Sequence, residues 1–381
     1  MPDRLLNGPF LRTTAANFFF FLNFASYFLL PLHIRALGGS EATIGAVMGV
    51  NGLASLAVLP LIALSIDRFG RRRFLLAGAV GMTLASIGFL LVEKIGPALY
   101  ALRALQGISF AAAFTATTTF AAEFAPRAHR ARALGLFGLS TLLTHAIAPG
   151  LGEELVRRGG FDALFAATTV CTLIAFALGW PLRDPDAAAQ RAVARGARRL
   201  NAQHWVVAAT MTLAGMGFGA VITFIATYVT SQQLGRVGVF FAAYTSAALV
   251  TRLVGAGLSD TLGRRRVILP SLTVLAAAIL WLAAVDSVPL LFAAGVLFGT
   301  AQGISYPTLH AFLVDLSSAA QLGRSQALFN GAFNLGVTLS SFAFGLVAER
   351  YGYRVMFSVA AATPLLAALL FAVGTRPPRV D

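Results

Sequence analysis

The chain has 381 residues, 57% of them hydrophobic and only 12% charged, whereas soluble domains carry about 25% charged residues, so a water-facing globular fold is excluded. A net charge of +14 would suit a nucleic-acid partner only if the basic residues gathered on one soluble face, and here they punctuate apolar runs, so no nucleic acid is expected. The single cysteine, Cys171, excludes internal disulfides and cysteine-based metal sites; no metal is expected, and the residue reads as a small apolar side chain.

Twelve apolar segments follow one another, each near the roughly 20 residues that a helix needs to cross a bilayer core about 30 Å thick. They run over 13–33, 43–66, 74–93, 98–120, 133–152 and 163–181, then 205–228, 237–259, 267–285, 290–313, 327–348 and 355–374. The runs are continuous rather than alternating, which favours helices over a barrel, because a helix satisfies its own backbone polar groups in lipid. The first is longer than the apolar core of a cleavable signal and is followed by Arg35, so it is expected to stay as a span. Numbered alternately, the loops of one side hold 20 of the 29 Lys and Arg, the other side holds seven, and Arg103 and Arg252 lie within spans. The positive-inside rule then makes both termini cytoplasmic, as an even number of spans requires. Lys94 is the sole lysine, a usage that looks like a GC-rich bacterial genome. The expectation is a multi-pass protein of the bacterial cytoplasmic (inner) membrane.

The segment Asp67-Arg-Phe-Gly-Arg-Arg-Arg73 returns 193 residues later as Asp260-Thr-Leu-Gly-Arg-Arg-Arg266. Gln106-Gly107-Ile108-Ser109 returns as Gln302-Gly303-Ile304-Ser305 at 196, and Arg158-Gly-Gly-Phe161 resembles Arg350-Tyr-Gly-Tyr353 at 192. Six spans plus six is a parallel internal repeat: a bundle over 1–182, a basic linker over 183–204 and a second bundle over 205–381. The Asp67–Arg72 loop between the second and third spans resembles the signature of the major facilitator superfamily. Ala63 stands where that signature opens with glycine, and in the second copy Ala256 and Thr261 depart from it. The resemblance implies an all-α membrane protein of 12 transmembrane helices in two pseudo-symmetric six-helix bundles, moving a small molecule by alternating access with no cofactor and a proton gradient as energy source.

At the arginine-rich ends a carboxylate can pair with arginine and complement a helix N-terminus, and such pairs can latch one conformation. Asp67, Arg68, Gly70, Arg71 and Glu123 in the first half, with Asp260, Arg264 and Asp315 in the second, are the candidates; the bland alternative is a set of solvated topology signals. Arg103 is the sharpest residue, because a guanidinium within a span costs several kcal/mol unless it meets a polar cavity or a partner. Arg103, Gln106 and Gly107 match the family's Arg, two residues, Gln, Gly pattern, which the resemblance links to substrate or proton coupling; snorkelling to the interface is the alternative. Arg252 stands two turns before Asp260 and is open to the same two readings. Ala148, Pro149 and Gly152 after Gly135 partly match the fifth-helix motif of the drug:proton antiporter branch, with Thr144, Ala148 and Glu153 standing where it has glycine.

His145 and His310 are the groups suited to proton binding near neutral pH or to hydrogen bonds between helices; no Asp or Glu lies mid-span. The family places helices 1, 4, 7 and 10 around the cavity. That makes Asn17, Asn23, Tyr27, Thr115, Thr118, Thr223, Tyr228, Gln302, Tyr306 and His310 candidates for solute contact, whereas Asn330 and Asn334 read as interhelical hydrogen bonds. The Phe18–Phe21 run reads as lipid-facing packing, with an aromatic cavity as the alternative. The resulting expectation is a monomeric exporter of a small amphipathic or hydrophobic compound in the lipid bilayer, exchanging it for protons. The alternative is uptake of a small anion by the intramembrane arginines. Neither a nucleophile with its base nor a phosphate-binding glycine loop is present, so an enzyme or an ATP-driven pump is not expected.

Overall fold

In the computed structural model, residues 7–125, 130–184, 200–255, 257–318 and 321–375 are described, and all the regular structure among them is helical. The helices are α1 (Gly8–Ser26), α2 (Leu30–Ala36), α3 (Glu41–Phe69), α4 (Arg71–Phe89), α5 (Pro97–Phe124) and α6 (Arg130–Gly179), followed by α7 (Ala202–Ser231), α8 (Val237–Val254), α9 (Leu258–Leu262), α10 (Arg264–Leu282), α11 (Val288–Asp315) and α12 (Leu322–Gly374). Eight stretches of described helix are long and apolar enough to cross a membrane. The expected linker falls mostly on 185–199, outside the described residues.

Local chemistry explains the boundaries. Asn7 caps α1, its side chain accepting from the Phe10 N–H at 2.8 Å while donating to the Phe124 carbonyl at 2.7 Å. Pro31 has no N–H to return to the Tyr27 carbonyl, which accepts from Leu30 instead, so a 3-10 turn over Tyr27–Leu29 joins α1 to α2. The long α6 and α12 are each two spans, interrupted at Gly159 and Gly160 and at Gly352. Gly160 (φ 69°) and Gly352 (φ 80°) occupy the left-handed side of backbone space, so the Arg158–Phe161 and Arg350–Tyr353 echo is a pair of glycine turns that reverse the chain without a loop. The eighth span is shorter than the expected 237–259: it stops at Val254, and Gly257 (φ 96°) leads into the short α9.

The chain forms two compact units, one of residues 1–39 and 50–190, the other of 40–49 and 191–381. In the first, Phe20, Leu75, Met82, Ala113 and Phe120 form a buried cluster with Phe110 and Phe114 packed against it. Phe20 and Phe21 therefore lie in this core rather than against lipid: Phe21 meets Phe110 and Phe114 edge-on with centroids 5.6 and 5.3 Å apart. In the second, Val207, Met211, Leu272, Leu309, Phe329 and Phe371 play the same part. Exposed side chains such as Leu64, Leu91, Val254, Leu369 and Val373 suit a lipid solvent and would be anomalous in water.

Small residues bring the helices together, as expected where lipid gives little hydrophobic drive to helix association. A Cβ on Gly107 of α5 would lie 2.1 Å from the Asn51 carbonyl oxygen and 3.1 Å from the Ala54 Cβ; one on Gly299 of α11 would lie 2.1 Å from the Tyr244 carbonyl oxygen and 3.0 Å from the Ala247 Cβ. These matched contacts, 192 residues apart, correct the sequence register: Gly107 corresponds to Gly299, not Gly303, and the Gln-Gly-Ile-Ser echo sits one helical turn out of step. In the second unit the first span of α12 lies along α7, with Gly215 against Phe333, Gly219 against Val337 and Gly336 against the Thr212 carbonyl. Residues 40–49 pack there too, Glu349 accepting from the Ser40 hydroxyl at 2.6 Å and the Ala42 N–H at 2.9 Å.

Gly107→Ala should lower the thermal midpoint of the purified protein in detergent, since forcing a methyl into a backbone contact costs about 1–3 kcal/mol. Gly135→Ala, where an added Cβ meets nothing within 4 Å, should leave the midpoint unchanged or raise it. Equal midpoints for the two variants would contradict the close approach of α5 to α3.

Candidate functional site

Within the first unit a buried polar network joins five helices. Arg103, on α5, is 4% exposed, and its Nη1 donates to Gln106 Oε1, one turn along the same helix, at 2.7 Å. The guanidinium thus turns into the unit instead of reaching for the membrane surface. Tyr27, at the 3-10 turn set by Pro31, donates to Ser86 Oγ of α4 at 3.0 Å and lies 3.5 Å from Thr168 Oγ1 of α6; Gln106 and the Arg103 charge also act on its hydroxyl. Asn23, one turn earlier, donates to the same Ser86 Oγ and to the Thr168 carbonyl, both at 2.9 Å. Asn51 Nδ2 lies 3.5 Å from the Arg103 carbonyl, and Thr83 donates to Thr172 at 2.8 Å.

A buried polar atom without a partner costs about 1–3 kcal/mol, and most of this network is satisfied. Two atoms are exceptions: Gln106 Nε2 and Asn23 Oδ1 have no hydrogen-bond partner among the described residues. The amide donor adjoins Arg103 and the amide acceptor adjoins Tyr27, so the cluster keeps unused hydrogen-bonding capacity beside a fixed positive charge. Asn23 and Tyr27 themselves are directed between α4 and α6, inside their own unit.

The other candidates of this half are more local. Asn17 bridges Thr141, at 2.8 Å, and Thr117, at 3.0 Å; Thr118 donates to carbonyls of its own helix α5, Phe114 and Thr115. His145 meets the Phe28 ring at 5.2 Å between centroids. In the second unit, Thr223 pairs with Ser341 at 3.1 Å. The Tyr228 hydroxyl donates to the carbonyls of Leu282 and Val285, at 2.7 and 3.0 Å, closing the end of α10. Gln302 accepts from Ser305 at 3.3 Å. Tyr306 donates to Asn330 Oδ1 at 3.2 Å and, with His310, packs on Phe329. Asn334 donates back to the Asn330 carbonyl at 2.9 Å.

The arginine-rich ends repeat one arrangement in both units. Arg71, first residue of α4 and 5% exposed, pairs with Glu123 near the end of α5 at 3.1 Å; Arg264, first residue of α10, pairs with Asp315 at the end of α11 at 3.1 Å and with Asp260 at 2.5 Å. The next arginine of each run reaches a neighbouring helix end. Arg72 donates to the Trp180 carbonyl at 2.8 Å and lies over the Trp180 ring, whereas Arg265 donates to the carbonyls of Thr375 and Ala372 at 2.8 and 2.6 Å. Such contacts complement exposed helix C-termini. Gly70 and Gly263 share nearly the same left-handed backbone, φ 88° and 87°, which makes the motif glycine a turn residue. Arg68 is exposed over Phe69, and the Asp67 side chain lies outside the described residues.

Asp184 was not among the candidates. Its Oδ1 accepts from the backbone N–H groups of Arg71 and Arg72, at 2.6 and 3.1 Å, capping α4 with a carboxylate where the helix dipole favours negative charge. A Cβ on Gly70 would strike that carboxylate. The only sequence signal was an acid just beyond the sixth span.

The family model of the Major Facilitator Superfamily matches residues 13–240 and 207–381. Over 390 residues the chain is 25% identical to the MFS-type transporter YhhS of Escherichia coli, covering 98% of this chain and 95% of that one. Over 372 residues it is 22% identical to the staphylopine export protein of Staphylococcus aureus, covering 92% of each. The crystal structure of the nucleoside transporter NupG superposes with a TM-score of 0.77 at 14% identity, over 97% of this chain and 99% of that one. Apolar spans, the twice-built arginine turn and the family model agree: this chain is a multi-pass inner-membrane protein that belongs to the Major Facilitator Superfamily.

Proposed function

We propose that this chain is a secondary transporter that exports a small amphipathic compound in exchange for protons, in the manner of the drug:proton antiporter branch. Alternating access comes from rocking of the 1–182 half against the 205–381 half, both termini lying in the cytoplasm and the protein acting as a monomer. The observation that carries the reading is the Arg103 cluster. A permanent cation is buried beside Gln106 and Tyr27 with no acid mid-span, so a change of protonation or of bound solute nearby alters its energy strongly in this low-dielectric setting. Pro149 in α6 and the similarity to an export protein support the outward direction. A second reading, uptake of a small anionic solute, is favoured by the intramembrane arginines Arg103 and Arg252 and by the lack of a mid-span acid.

The two readings separate in a cell accumulation assay, where export lowers and uptake raises the steady-state level of the solute when the protein is present. In everted vesicles, flux that responds to an imposed pH gradient is expected, and flux indifferent to it would sink proton coupling. Arg103→Ala should reduce transport at least about tenfold, the loss of one charge-assisted contact, while membrane insertion is unchanged; near-normal transport would leave Arg103 a packing residue. For the latch, Arg71→Gln and Glu123→Gln should be non-additive in thermal stability. Their coupling should exceed that of Arg264 with Asp315, which is more exposed and for which about 0.2–1 kcal/mol is expected. Additive effects at the Arg71–Glu123 pair would remove it from the latch.

A further inference from the structure

The second unit carries unsatisfied polar atoms that the transport reading does not use. On α8, Val250, Leu253 and Val254 are exposed on one face, and Arg252 stands on the opposite face, aligned with Thr245 two turns before it, at about 100° per residue. Arg252 Nε and Thr245 Oγ1 are both buried and lack hydrogen-bond partners among the described residues. Arginine offers only N–H donors, so this buried N–H is a donor without an acceptor. The contact of α11 with α8 brings Gly303 against Thr251 and Ala248. One turn further along α11, Tyr306 lies within electrostatic reach of Arg252.

The surroundings define what would fit. Tyr306 bridges to Asn330 of α12, which is exposed on the side of that helix opposite the lipid-facing Leu335, Leu339 and Leu346. A polar exposed face opposite an apolar exposed one implies access to water as well as to lipid. Beside it lie the rings of Phe329 and Phe333, whose centroids are 5.3 and 5.4 Å from that of Tyr306. The described carboxylates of this unit, Glu41, Asp260, Asp286, Asp315 and Glu349, sit at helix ends and loops, so Arg252 has no counter-ion at its own level.

We propose that this face of the second unit is a subsite for an amphipathic organic anion. Its single carboxylate or sulfonate accepts from the Arg252 Nε–H and from the Tyr306 hydroxyl, which turns to it from Asn330, and its apolar body lies along the half-buried Phe333, backed by the buried Phe329. One cation and one hydroxyl match one charged headgroup, whereas a phosphate dianion would call for more donors. The proposal deepens the transport reading and rests on it for the solute's passage across this face. Binding and flux are measured separately, so that the failure of either is recognisable.

The test uses the full chain in phosphatidylcholine nanodiscs, with naphthoate as the anion and naphthylmethylammonium as its cation-bearing counterpart. Naphthoate should bind saturably in equilibrium dialysis and the ammonium should not. Arg252→Gln should weaken naphthoate binding about tenfold or more, as expected for one charge-assisted hydrogen bond, Arg252→Lys should weaken it less, and the exposed Arg350→Gln should leave it unchanged. Independently of any variant's folding, naphthoate should slow phenylglyoxal modification of Arg252 in the wild-type protein, mapped by mass spectrometry. Equal binding of the two probes, no naphthoate binding, or unprotected Arg252 overturns the proposal. So does loss of protection when phosphatidylglycerol is added to the discs, which would assign the subsite to lipid headgroups.

Discussion

A polar group inside a bilayer is costly unless it finds a partner within the protein, and the organisation of this chain follows from that constraint. Backbone groups meet it through helices. Side chains meet it by gathering between helices of one unit, as when Ser86 and Thr168 take the amide of Asn23 and the hydroxyl of Tyr27. Arg103 meets it with a neutral amide on its own helix. At the helix ends the arginines meet it with carboxylates, Glu123, Asp260 and Asp315.

The arginine turn shows how a short motif serves several purposes. Its glycine reverses the chain, its first arginine binds the acid at the end of the adjacent span, and its second caps a further helix. Repeating this in both units ties three helix ends together at the same level of each bundle. The basic residues read from the sequence as topology signals therefore also hold the ends of the helices in register. In the first unit Asp184 adds a fourth tie, by capping the helix that the turn begins.

The fold was legible in the sequence because its determinants are coarse: apolar length, loop charge and a repeated loop. Arg71 with Glu123 was legible as a pairing of helix ends, and Arg103 with Gln106 as neighbours one turn apart. What escaped depends on which neighbour a helix meets. These helices are apolar nearly all round, so periodicity does not reveal their facing sides, and the inward direction of Asn23 and Tyr27 could not be read from spacing. The Phe20 and Phe21 rings were misplaced for the same reason. The Gln-Gly-Ile-Ser echo misled because a helix returns to almost the same face after four residues, so a one-turn slip preserves the pattern while changing every partner. Asp184 was missed because capping depends on where a distant helix begins.

The corrected register carries a consequence for the charge asymmetry of the two halves. At 192 residues from Arg103 stands Gly295, where α11 runs so close to α8 that even a Cβ would lie 2.9 Å from the Phe240 carbonyl oxygen and the Ala243 Cβ. A guanidinium cannot be accommodated there unless the two helices part. The halves are thus not interchangeable modules: a chimera built from two copies of the second would have no space for a cation at that depth, and substituting arginine alone would not restore it. What separates the halves at this level is the spacing of two helices, a steric difference that lies beneath the electrostatic one.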